Sequence, residues 1–281
     1  MNAPPLLTDR AALSRNRSRA LKQGAETFLH DIVAAEIKER LSEVNKTFTV
    51  PAIVTGFPRP WASLQPGARI VEDAETLALE PEAHDLVIHA LSLHWANDPV
   101  GQLVQCRRAL RPDGLFIAAL FGGQTLMELR AAVAEAESRL TGGLSPRVLP
   151  MAEIRDLGAL LQRAGFALPV ADSVRRTVTY LTAFHLIADL RAMGEGNALF
   201  QRSRRATPRD LFPEAARIYA ASYPAPDDRV AATFETIFLT GWAPDPSQQK
   251  PLRPGSAATR LADALDTREQ PLRNTDTSAK D

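Results

Sequence analysis

The sequence predicts an α/β fold in which a largely parallel, doubly wound sheet carries helices on both faces. Three observations carry the prediction. Over residues 85–140, short apolar runs alternate with amphipathic helical stretches, the order that builds a parallel sheet with right-handed crossovers. The runs at 85–91 and 115–120 are apolar on nearly consecutive residues, as in strands buried on both faces. Cap and turn residues stand between them where such connections need them.

From Leu21 through Phe28, Val33 and Ile37 to Val44, apolar residues recur at spacings of three and four. This predicts one long helix with a single apolar stripe. Pro51-Ala-Ile-Val-Thr-Gly56 reads as a strand, and the proline- and glycine-rich stretch 57–68 as loop. After the strand at 85–91, Asp98 caps a helix with Pro99 at its first position. Arg111-Pro-Asp-Gly114 is expected to be a turn leading into the strand at 115–120. Thr125 and Glu128 have the spacing of a capping box, opening a helix to about Arg139. Another helix spans about 151–164 and stops at Gly165. Strand-like stretches fill 167–180, and alternation from Val230 to Trp242 predicts a long strand. Between these, 182–222 reads as helices, giving a helical insertion at about 182–227 before the last strand. The expected organisation is a basic segment and helix over 1–47, the α/β domain over 48–265, and a tail at 266–281. That tail is polar and lacks aromatic residues, a composition that predicts disorder.

Lys plus Arg and Asp plus Glu both number 33, so no global field points to nucleic acid. Cys106 is the only cysteine. It excludes an internal disulfide and a thiolate-rich metal site, and it suits a reducing, cytoplasmic setting. No apolar run approaches the ~20 residues that span a bilayer, so a transmembrane segment is not expected. Arg10, Arg15, Arg17, Arg19 and Lys22 make the N-terminal segment basic. A transit peptide or peripheral docking at the inner membrane is weighed against a solvated helix face, which is the default for such a run.

Three stretches resemble class I S-adenosylmethionine (SAM) methyltransferases, a Rossmann-like doubly wound fold. Glu72-Asp-Ala-Glu-Thr-Leu77 is similar to the segment after the family's third strand. His84-Asp-Leu-Val-Ile-His-Ala-Leu-Ser-Leu-His-Trp95 is similar to its fourth strand and following loop, and Leu110-Arg-Pro-Asp-Gly-Leu-Phe116 to the turn into its fifth. A narrower resemblance covers nearly the whole chain. Thr8-Asp-Arg10, Ser92-Leu-His-Trp-Ala-Asn-Asp98, Phe121-Gly-Gly-Gln-Thr-Leu126, Arg191-Ala-Met-Gly-Glu-Gly-Asn197 and the stretches around 241–257 resemble the methyltransferase-like assembly factors of respiratory complex I, in their alphaproteobacterial form. The resemblance implies a protein-modifying methyltransferase-type enzyme, with SAM as cofactor and a peripheral-arm complex I subunit as partner. The alternatives are a non-catalytic assembly factor and an arginine hydroxylase acting on such a subunit. By the same resemblance, Gly56, Asp73, Ala74 and Leu91 would hold the cofactor.

The sequence departs from the pattern where SAM would sit. The stretch Val54-Thr-Gly-Phe-Pro-Arg-Pro60 keeps one glycine where the family has several, and its two prolines remove donors. Two βα units of about 25 residues each should separate the first and fourth strands, but residues 57–84 supply only 28. The N-terminal half of the fold is therefore expected to be truncated, which argues against tight SAM binding in the usual pose.

Each candidate site residue has a bland reading beside the functional one. Asp73 either meets an adenine amino group or forms a solvated acidic turn. His94 and Trp95 either line a substrate cleft at the carboxyl end of a strand or satisfy a backbone group and pack a helix start. Asn97 and Asp98 read as helix caps. Gly122-Gly123 is either an anion-binding turn or a tight exit from the strand. Glu195 and Asn197, between glycines, suit a shaped loop over the cleft. The histidines at 30, 84, 89, 94 and 185 show no metal-ligand spacing, so no metal is expected.

Overall fold

The structure, a computed structural model, describes residues 6–248. The tail expected at 266–281 and the resemblance beyond residue 248 lie outside the described residues. The fold lies in the unit that ends at Asp245.

Two helices open it, α1 (Arg10–Gln23) and α2 (Phe28–Glu43). The single helix expected over 21–44 is broken because Gly24 takes φ 87°, the left-handed conformation that ends α1. Asp9 caps the start of α1, its side chain accepting from the Ala12 N–H at 2.9 Å. The stripe survives only on α2, where Leu29, Val33, Ile37 and Leu41 are buried, while Leu21 is exposed.

Then follow β1 (Pro51–Thr55), the single turn α3 (Pro58–Trp61), β2 (Arg69–Val71), β3 (His84–Ala90), α4 (Pro99–Ala109) and β4 (Leu110–Phe121). Next come α5 (Met127–Thr141), α6 (Ile154–Arg163), β5 (Ala167–Tyr180), α7 (Ala183–Ala192), α8 (Leu211–Ser222), β6 (Pro224–Ala225) and β7 (Arg229–Trp242). The strand order is β2-β1-β3-β4-β7-β5, with β6 on β7. Strands β1 to β4 pair parallel, as in Ile53↔Ile88 and Ile88↔Ile117, and β7 runs antiparallel to both β4 and β5.

Period-two side-chain direction explains how the consecutive apolar residues are used. Ile53, Leu86, Ile88, Leu115 and Ile117 pack on one face with α2, α5, α7 and α8. Ala52, Val54, Val87, Phe116 and Ala118 pack on the other with α4 and α6. The truncation is visible at the sheet edge. Only the single turn α3 and the three-residue strand β2 stand between β1 and β3 in the chain, and β2 pairs directly with β1. Asp73, which resembles a residue after a third strand, thus ends up one strand from β1.

Two local expectations are corrected. Residues 111–114 do not form a separate turn; they bulge within β4, with pairing passing from His84↔Leu110 to Leu86↔Leu115 and Asp113 at φ 60°. The capping box does not form either. Leu126 precedes α5 without a side-chain cap, and Thr125 Oγ1 instead donates to the Glu235 carbonyl and accepts from its N–H. The Glu128 carboxylate accepts from both the N–H and the hydroxyl of Thr233, so β7 claims both residues.

Candidate functional site

The carboxyl ends of β1, β2, β3 and β4 converge, as ligand sites in open α/β sheets do. Ser92 locks two of them together, its hydroxyl donating to the Ala90 carbonyl at 2.8 Å and accepting from the Gly56 N–H at 3.2 Å. Leu91 adopts φ 43°, a conformation costly for a branched residue. It turns the chain out of β3 into a 3-10 turn, Leu93–Trp95, that presents His94 and Trp95.

The space over Gly56 is taken by the protein itself. Arg17 from α1 lays its guanidinium there; a Cβ at residue 56 would stand 2.6 Å from Arg17 Nε and closer still to the rest of the head group. Arg17 Nη1 pairs with Asp73 Oδ1 at 2.6 Å, with Asp73 only 1% exposed. Arg10 adds a second contact to the same carboxylate at 3.4 Å and a bond to the Asp73 carbonyl. Both expectations for Asp73 are therefore corrected: it is neither a solvated turn nor an acceptor open to adenine. Neither Arg17 nor Arg10 belongs to a solvated face. Ala74 is likewise engaged, its carbonyl accepting from Gln102 Nε2 at 2.9 Å, and the Leu91 N–H donates to the Ala119 carbonyl at 2.9 Å. Gly56, Asp73, Ala74 and Leu91 stand near one another, but as arranged they do not fit SAM.

The substrate-side candidates gather on the other flank. Trp95 Nε1 donates to Glu195 Oε2 at 2.7 Å, and His94 Nε2 lies 3.4 Å from the same oxygen. His94 thus faces a carboxylate rather than a backbone group, and its ring also packs on Phe121, 5.0 Å between centroids. Burial pushes the Glu195 carboxyl upward, but the His94 contact, the nearby Arg17 charge and the Trp95 N–H outweigh it and hold it below the usual glutamate value. It is therefore ionised at neutral pH. Its other oxygen, Oε1, makes no hydrogen bond among the described residues.

Glu195 lines a cavity of about 360 Å³ together with Trp95, Phe121, Phe234, Met151 and Phe212. Arg147 also reaches this cavity, but its charge is met by Glu137 at 2.7 Å. Asn197 stands at the rim, donating to the Pro146 carbonyl and accepting from the Leu199 N–H, both at 3.0 Å. It shapes the loop and has little left for a ligand.

Of the bland readings, Asp98 does cap α4, accepting from the Gly101 N–H at 2.8 Å. Asn97 does not cap it; its Oδ1 accepts from the Leu7 and Thr8 N–H groups and pins the N-terminal segment. The Gly122-Gly123 turn holds the chain's own anions, with Glu235 on the Gln124 N–H at 2.9 Å and Glu153 packed on Gly123. No group of His, Cys, Asp and Glu among the described residues could hold a metal ion. None of the described helices is long and apolar enough to cross a membrane.

Sequence reasoning missed the buried role of Arg17 and, of the cavity's aromatic residues, Phe121, Phe212 and Phe234. A signal for Arg17 exists: residues 10, 13, 17 and 20 share one helical face, so Arg17 falls in the stripe of Leu13 and Ala20.

Comparison with known proteins adds a family context. A profile described as "Methyltransferase domain" matches residues 17–118. The chain is 43% identical over 190 residues to "Arginine-hydroxylase NDUFAF5, mitochondrial" of Dictyostelium discoideum, covering 67% of this chain and 43% of that protein. It is 39% identical over 236 residues to the protein of the same name from Danio rerio, covering 84% of this chain and 67% of that one. The chain thus spans less than half of the first relative and about two thirds of the second. Among solved structures, a putative methyltransferase from Bacillus halodurans is 15% identical with a TM-score of 0.47, covering 75% of this chain and 99% of that one.

Proposed function

The chain belongs to the methyltransferase-domain family that includes the arginine-hydroxylases NDUFAF5, and on that premise we propose that it is a methyltransferase-like protein-handling factor that receives an arginine side chain of a partner protein in the Glu195 cavity. The observation that carries this reading is the cavity's chemistry. The ionised carboxylate of Glu195 sits among aromatic and aliphatic side chains, and of the two arginines that also line the cavity, Arg147 is paired with Glu137 and Arg191 is exposed to solvent, which screens it. Such a site suits a planar guanidinium on an apolar stem, which can pair with the acid and stack on the rings. The cavity volume is also ample for one side chain.

The residues divide the work simply. Glu195 pairs with the incoming cation. Trp95 and His94 hold that carboxylate in place from the opposite side, and Phe121 and Phe234 keep water away and strengthen the pairing. The partner, by resemblance, is a peripheral-arm subunit of respiratory complex I, met in the cytoplasm or at the inner-membrane surface. The lone cysteine suits that reducing compartment. Hydroxylation of the bound arginine, the reaction the relatives' name carries to this site, would take one oxygen atom from dioxygen while two electrons and two protons from an external reductant turn the other into water; methyl transfer from SAM finds no support in the covered Gly56.

A deletion strain complemented with wild type or Glu195→Gln tests the reading, with complex I followed on native gels and the partner's arginines by mass spectrometry. Deletion and Glu195→Gln should both lower assembled complex I. A normal complex in the deletion strain would sink the proposal. Loss of a charge-assisted bond worth about 1.5–3 kcal/mol should weaken partner binding about tenfold to a hundredfold.

A further inference from the structure

We infer that Arg17 is a built-in occupant of the fold's cofactor cradle, a permanent internal plug that closes it to SAM and leaves the Glu195 cavity as the ligand-accepting flank of this cleft.

The first ground is the glycine pattern. A Cβ at residue 56 would push the Arg17 head group off the backbone it lies against, and at Gly194, where φ 75° already favours glycine, a Cβ would meet Phe57 Cζ at 2.7 Å and Arg17 Cγ at 2.9 Å. Two glycines on separate elements thus make room for the stem and head of one arginine. The close backbone approach that a nucleotide would need at Gly56 is used by a side chain of the same protein.

The second ground is charge. Asp73 is buried and would be costly alone; Arg17 at 2.6 Å and Arg10 at 3.4 Å compensate it. A ligand entering here would have to displace both cations and leave that carboxylate buried and unpaired.

The third ground is that α1 is a wall and not a lid. Ahead of it, Leu7 and Thr8 are pinned by Asn97. Asp9 at its cap pairs with Arg202 at 2.8 Å, and Asn16 donates to the Gly196 carbonyl at 3.0 Å. Leu13 and Ala20 are each 1% exposed. The sheet edge is short on this side, β2 being followed by no helix before β3, and it is α1 whose Arg17 reaches Gly56 and Asp73.

The inference stands whether or not the partner is a complex I subunit. Its test is isothermal titration of the full chain with S-adenosylhomocysteine to millimolar concentration, together with melting curves of Arg17→Met, Asp73→Asn and the double variant. Wild type should show no saturable binding. Arg17→Met should lower Tm by roughly 10 °C, as loss of one partner of a buried pair does. The double variant should melt well above the sum of the single losses. Micromolar binding of S-adenosylhomocysteine by wild type would overturn the inference, and so would additive single and double variants. The titration on wild type needs no variant to fold. Neither result bears on the partner assay, so the two readings fail separately.

Discussion

His30 and His89 are buried titratable groups that do not line the Glu195 cavity. His30 packs on the rings of Phe57 and Trp61, at 5.3 and 5.8 Å between centroids. His89 Nε2 meets Gln102 Oε1 at 2.8 Å inside β3. Burial lowers both imidazoles from 6.5 to about 4, so both are neutral in the folded protein. The unfolded chain takes up these protons first, near pH 6.5. The stability tied to keeping them neutral is therefore full above pH 6.5 and is lost as pH falls from there to about 4. Each shift is worth on the order of 3 kcal/mol. Glu137, held at about 2 against the upward push of burial by Arg147 and Ser145, loses its contribution only at lower pH. Melting curves between pH 7 and pH 4.5 should therefore show a falling Tm, and His30→Phe should flatten part of that slope. An unchanged slope in His30→Phe would contradict the assignment. At this scale the place of His94 and Trp95 just after an apolar strand is legible, and in the structure Trp95 lines the cavity while His94 stands on Glu195 without lining it. It is not legible for Arg17: a cation on a helix reads as solvated until its partner, 56 residues away, is known.

Helix α1 is the element that separates this molecule from the pattern its sequence resembles. Besides the Asn16 bond to Gly196, its contacts include the arginine pairs to Asp73 and a small cluster in which Ala12 and Leu13 meet Trp95, Leu149, Ala198 and Leu199. Leu13→Ala should cost about 2–5 kcal/mol, the usual range for a buried leucine. Asn97→Ala should speed hydrogen exchange at the Leu7 and Thr8 amides, which lose their acceptor. Exchange as slow as in wild type would show that Asn97 does not hold this segment. Strands β1, β3 and β4 can be read because residues buried on both faces leave continuous apolar runs. Strand β2 cannot, since it has three residues and two of them, Arg69 and Ile70, are exposed. The run from Leu21 to Val44 reads as one helix because its spacing continues through Gly24, and only the backbone conformation there shows the break. Thr125 and Glu128 have capping spacing, but their partners on β7 lie more than 100 residues away.

At the scale of the whole molecule, a six-strand path with one short branch is covered by helices on both faces, and the carboxyl ends of its parallel strands meet two different environments. On the β1–β2 flank, α1 fills the cleft with charge-paired arginines. On the β4 flank, the helices after β5 help enclose a cavity lined by apolar side chains, the Glu195 carboxylate and two arginines, Arg147 and Arg191. The truncation is legible in the length of residues 57–84 alone, which is too short for two βα units. What covers Gly56 and Asp73 beside it is not legible, because Arg17 stands on α1, a helix ahead of β1 that reads as a separate basic segment. The central claim is that the working site is the Glu195 cavity and that the cofactor cradle is closed. A crystal structure of the full chain soaked with both S-adenosylhomocysteine and an arginine-containing partner peptide tests it most directly. The guanidinium of the peptide should lie at Glu195, with Arg17 still on Asp73. Density for S-adenosylhomocysteine over Gly56 with Arg17 displaced would contradict it.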